Sequence, residues 1–153
     1  MMLQAALLIA TILVGLVAGI ALAHVVQWPT QRERSTLPIV RSQRVVGRYS
    51  AILGPIEAAA LVALIVAFVR LPTGSAERWL VGAAALCVAG MLGMWAAWLR
   101  PLNATITAWQ PEAPPADWAR HHARWSTFHR LRVALAIIAF ALLLMGLIAR
   151  PVH

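Results

Sequence analysis

Uncharged apolar stretches alternate with arginine-rich ones along this chain. Four apolar windows, residues 3–26, 50–69, 79–99 and 133–149, approach or exceed the span of about 20 residues that a helix needs to cross a bilayer core. The fourth window is the shortest, near the lower limit of that range. The pattern predicts an all-α, integral membrane four-helix bundle in a single domain covering 1–153.

The first window ends in Ala21-Leu22-Ala23, which resembles a small-residue cleavage site. Met1-Met2-Leu3-Gln4 carries no positive side chain, however, and the apolar run is longer than a signal-peptide core. It is therefore expected to be a retained helix. Its Gly15-x-x-x-Gly19 spacing permits close helix contact and leaves a homo-oligomer open.

The segments between the windows differ in kind. Leu71-Pro72-Thr73-Gly74-Ser75 reads as a tight turn, whereas the first and third connections are expected to be long loops. Pro111, Pro114 and Pro115 interrupt the third connection, and Asp117 then makes an N-cap for a helix that continues to the end of the fourth window. Pro101 is expected to close the third helix.

Arginines are distributed unevenly across these connections. Arg32, Arg34, Arg41, Arg44 and Arg48 lie in the first, and Arg100, Arg120, Arg124, Arg130 and Arg132 in or beside the third. Only Arg70, Arg78 and Arg150 fall on the other side. The positive-inside rule predicts an inner (plasma) membrane protein with cytoplasmic loops and both termini outside. Trp28, Trp79 and Trp98 near window ends suit the interface.

Composition agrees: 61% of residues are hydrophobic, 12% are charged and the mean hydropathy is +0.78. The net charge of +8 is carried by arginines flanking apolar spans. With no nucleic-acid-binding motif beside it, that charge points to lipid headgroups rather than nucleic acid. All 13 basic residues are Arg, a usage that suggests a GC-rich bacterial genome. Cys87, alone in an apolar window, reads as a small buried hydrophobe.

Candidate chemistry gathers at one end. Glu57 lies about two turns inside the second window, a depth at which a carboxylate faces the bundle interior and is protonated, paired or functional. A structural ion pair with an arginine is one reading; substrate, proton or metal binding is the other. His24 closes the first window at the same end. In the segment 120–132, Trp125, His129 and Arg132 share a helical face at i, i+4 and i+7, and His122 extends it. Asn103, just after the third window, offers a hydrogen-bonding amide. Four helix ends thus converge on a between-helix site of the kind that binds ligands.

Several residues carry a family resemblance. Tyr49-x-x-x-Leu53-Gly54-Pro55, Pro101-Leu102-Asn103, Trp109, Asp117-Trp118, Arg124-Trp125 and His129-x-x-Arg132 resemble the anthrone-oxygenase-like family of small four-helix membrane proteins. The resemblance implies oxidation of an anthrone to an anthraquinone without a classical cofactor. On that reading the partners are the bilayer and a lipophilic aromatic substrate. Glu57 or His129 would act as general base, Arg132 would stabilise the resulting anion, and Trp125, Asn103 and His24 would contact the substrate. No metal ligand set and no cofactor are expected. Three alternatives remain at this stage: a proton-coupled transporter using Glu57, a haem or metal site on His24 and His129, and an accessory membrane subunit.

Overall fold

A computed structural model describes residues 2–32, 36–110 and 112–148, with side-chain surroundings defined outside 2, 27–32, 36–44 and 46–51. Glu33, Arg34, Pro111, Arg150 and His153, and the side chains of Trp28, Arg32, Arg41, Arg44, Arg48 and Tyr49, lie outside that description. Five α-helices follow in order: α1 (Met2–Arg32), α2 (Thr36–Arg70), α3 (Ala76–Met94), α4 (Arg100–Thr107) and α5 (Trp118–Ile148). A π-helical turn, Trp95–Leu99, joins α3 to α4, so that they form one continuous rod. Outside helices, the described residues contain one isolated bridge, Gln110 to Ala113.

Four segments are long and apolar enough to cross a membrane: Leu3–Val26, Ile52–Arg70, Ala76–Thr107 and Trp118–Ile148. Sequential neighbours pack together and α5 closes the ring against α1, leaving α1 opposite α3 and α2 opposite α5. This is an up-and-down four-helix arrangement.

Two expected boundaries move. The long first loop is largely helix, because α1 runs on to Arg32 and α2 already begins at Thr36. Polarity there marks the end of the apolar window and not of the helix, and Pro38 sits in the first turn of α2, where a missing N–H is tolerated. Pro101 does not stop the third helix either. The preceding turn shifts to i→i−5 bonding, with the Arg100 N–H donating to the Trp95 carbonyl, and the chain continues to Thr107. The tight turn forms as its residues predict. Gly74 adopts φ +84°, a conformation favouring glycine, and Ser75 accepts the Arg78 N–H at 3.2 Å.

Each helix buries one stripe. On α2 it runs Leu53, Glu57, Ala60, Leu64, Ala67; on α5 it runs Trp125, His129, Arg132, Val133, Ala136, Ala139, Leu143. The apolar core falls into three clusters. A large one includes Leu7, Ala60, Val81 and Leu143, a smaller one Val17, Leu53, Met91 and Ala136, and an end cluster Leu99, Leu102, Ile106 and Trp125. In two places an aromatic side chain lies against a glycine: Phe140 on Gly15, and Phe68 on Gly82. Gly19, the second glycine of the spaced pair, has no neighbour within 4 Å of a built Cβ.

A buried polar layer as the candidate site

The same stripes that bury alanine and leucine elsewhere carry polar residues towards the α4 end of the bundle. Glu57 occupies the α2 stripe at 2% exposure, while His129 and Arg132 occupy the α5 stripe at 6% and 8%. Helical spacing alone decides this, since 125, 129, 132, 136, 139 and 143 lie on one face of α5. Arg132 Nη2 donates to Glu57 Oε1 in a buried ion pair. Because α2 and α5 are opposite one another, the pair bridges the centre of the bundle. Pro55 is accommodated within α2 two residues before Glu57.

The remaining candidates join this pair through rings. Trp125 stacks on His129 with centroids 4.7 Å apart and planes inclined by 11°. On the preceding turn His122 lies nearly parallel to Trp125 at 6.5 Å, and Trp118 follows at 6.3 Å from His122. His24, from α1, meets His129 at 6.0 Å with planes tilted by 49°. Asn103, from α4, accepts the Trp125 indole N–H at 2.6 Å. All six predicted residues therefore belong to one connected cluster contributed by α1, α2, α4 and α5. The indole itself is 2% exposed and flanked by the two imidazoles.

Hydrogen bonding within the layer is incomplete. Glu57 Oε2, His129 Nε2 and Arg132 Nε are buried without a partner. His129 also hydrogen-bonds the backbone of Ala21. Buried polar atoms are normally satisfied, so three orphans on adjoining groups mark a place suited to a polar ligand atom. Among the described residues, no three His, Cys, Asp or Glu side chains gather closely enough to hold a metal ion.

The anthrone oxygenase family profile matches residues 43–142. The chain belongs to the anthrone oxygenase family. The matched span contains Glu57, Asn103, Trp125, His129 and Arg132, and the resemblance expected from the sequence is thereby established at family level. No curated protein and no solved structure matches the chain.

Sequence reasoning missed two features near this site. His121 faces away from the layer, towards Trp109 at 5.8 Å and Asp117 at 3.2 Å. Trp98 stacks on Phe128 at 5.3 Å and 14°. Pro101, whose ring and missing N–H disturb the turn ahead of it, was the available signal for the irregular turn, but periodicity cannot register an inserted residue.

Proposed function

We propose that this protein is a membrane oxygenase for a lipophilic phenol or anthrone that reaches the polar layer from the bilayer. The observation that carries the reading is the set of unpartnered buried atoms on Glu57, His129 and Arg132, in a member of the anthrone oxygenase family. An anthrone offers an acidic methylene carbon and a carbonyl oxygen that becomes an oxyanion. His129 Nε2 takes the methylene proton, and the electron pair of the broken C–H bond passes into the ring system and its oxygen. Arg132 stabilises that anion, as fixed positive charge does for developing oxyanions. Dioxygen then adds to the electron-rich carbon and takes up a proton to form a hydroperoxide. Loss of water breaks its O–O bond and removes the second C–H proton, leaving the new carbonyl. One dioxygen is consumed and one water released, with no external reductant.

Glu57 keeps Arg132 in place and neutralises it between turnovers. His24, against the other imidazole, borders the substrate. Trp125 and Asn103 act by position: the indole, tied to Asn103, fixes the plane of His129. The orientation that suits the arginine distribution has both termini outside and the α4 end facing the cytoplasm. C-terminal fusions to alkaline phosphatase should then be active and those to green fluorescent protein dark.

Oxygen uptake by isolated membranes supplied with an anthrone tests the activity. Wild-type protein should consume oxygen, and His129→Ala should lose about 10²–10⁴ of the rate, the range for removing a general base. Arg132→Lys should bind substrate but turn over slowly, because lysine lacks the planar fork. A wild-type protein inert towards every anthrone and phenol offered refutes the enzymatic reading.

A further inference from the structure

Oxidising a methylene to a carbonyl removes both hydrogens from one carbon, and His129 accounts for the first. In a rigid planar ring system those hydrogens project from opposite faces. A single fixed base therefore reaches one of them unless the substrate turns over. Two acceptors that each stand about 3 Å from one tetrahedral carbon, along its two C–H bonds, lie about 5 Å apart. A second acceptor at that spacing from His129 would let both hydrogens leave a substrate that does not move.

His24 meets this requirement. It reaches the layer from α1, and its ring centroid lies 6.0 Å from that of His129. Each imidazole nitrogen lies within a bond length of its centroid, so the two rings accommodate the pair of acceptors. Their planes are tilted by 49° and do not stack on one another. Trp125 covers a face of His129 at 4.7 Å instead, and because an imidazole lone pair lies in the ring plane, that stack does not block it. His129 Nε2 is buried without a partner. One turn of α1 fixes both groups, since His129 hydrogen-bonds the backbone of Ala21, three residues before His24. The helix backbone thus sets the spacing between the imidazoles. Glu57, the other buried base of the layer, is committed to Arg132.

We propose that His24 is a second acid–base residue, acting on the C–H bond that remains after dioxygen has added; this role rests on the oxidation reading above. His129 takes the first methylene proton and returns it to the terminal oxygen of the new peroxide, which gives the hydroperoxide and a neutral His129. His24 then takes the second proton. The electron pair of that C–H bond becomes the new C=O bond as the O–O bond breaks, and hydroxide leaves with the O–O pair. His24 gives its proton to the hydroxide, water departs, and both imidazoles are neutral again. The carbon has lost both hydrogens, and dioxygen ends as the carbonyl oxygen and water.

Membranes bearing the full-length protein and supplied with anthrone separate the two proton transfers. Without oxygen, deuterium exchange into the methylene above the protein-free rate reports the first. With oxygen, mass spectrometry of acid-quenched products distinguishes hydroperoxide from anthraquinone. His129→Ala should lose the exchange itself. His24→Ala should still exchange and consume oxygen, but quinone formation should fall by about 10²–10⁴, the range for removing a general acid or base, and hydroperoxide should accumulate. Added imidazole should restore quinone formation, which a packing role for His24 would not allow. Should His24→Ala fail to fold, His24→Gln fills similar space with an amide that cannot take the proton, and the same products are expected. Quinone formed at the wild-type rate without His24, or exchange and quinone lost together, would overturn the role of His24 and leave the oxidation reading standing. A wild-type protein that neither exchanges nor consumes oxygen would overturn both.

Discussion

Two regions of one bundle, made by the same four helices, treat buried polarity in opposite ways. In the region around Leu7, Ala60, Val81 and Leu143 the buried polar residue is Thr11, whose hydroxyl donates to the Leu7 carbonyl one turn back at 2.8 Å. It asks nothing of other helices. In the region towards α4, Glu57, His129 and Arg132 replace apolar side chains on the same stripes, and each retains an unpartnered atom. A bundle intended only to persist has no need of the second arrangement. Buried ion pairs contribute little net stability over apolar packing, although breaking one is costly. The first region supplies packing; the second leaves buried polar atoms open to a ligand.

The largest effect that separates the regions should come from Glu57→Ala, which strands a buried guanidinium and should cost about 3–5 kcal/mol. Thermal unfolding in detergent measures it, against Thr11→Val as a near-neutral counterpart in the apolar region. An unchanged melting temperature for Glu57→Ala would erase the distinction. Next is Gly15→Ala, whose new Cβ would stand 2.9 Å from the Phe140 ring and should destabilise by about 1–3 kcal/mol through overpacking. Gly19→Ala, facing open space, should instead gain about 0.5–1 kcal/mol from reduced backbone freedom in the unfolded chain. Equal effects at the two glycines would show that Phe140 moves aside freely.

Smaller still is Trp125→Phe, which preserves a ring against His129 but removes the N–H held by Asn103. A loss of about 1 kcal/mol is expected. The ¹⁵N shifts of the His129 imidazole should broaden as its orientation loosens, and sharp, unmoved resonances would remove the positioning role given to Trp125. The smallest effect concerns Asp117, where the hydrogen bond from Arg120 holds the carboxyl below its ordinary range. A carboxyl with a depressed folded pKa contributes its stability in full above the ordinary value, and loses it as pH falls through the depressed one. Hydrogen-exchange protection, corrected for intrinsic rate, should therefore fall at the start of α5 only in acid.

Much of this architecture follows from residue order alone. Four apolar windows dictate four spanning helices, because backbone polar groups in lipid must be satisfied within the segment. The i, i+4, i+7 spacing of Trp125, His129 and Arg132 places them on one face, and the stripe's apolar continuation through Ala136 and Leu143 turns that face inward. Family membership was legible in the late motif that ends in His129 and Arg132. What residue order left open was which partner each polar atom takes. Glu57 had several arginines within reach by depth, and helix arrangement across the bundle selected Arg132, on the opposite helix. Asn103 could be assigned to a helix end but not to the indole of Trp125. That contact depends on the rotation of α4, which the π turn sets and a regular period cannot express. The boundaries at Arg32 and Pro101 were missed for a related reason. Hydropathy reports where lipid contact ends, while backbone hydrogen bonding decides where a helix ends. Local spacing thus determined the helices and their inward faces, and only tertiary packing decided the pairings that make those faces a site.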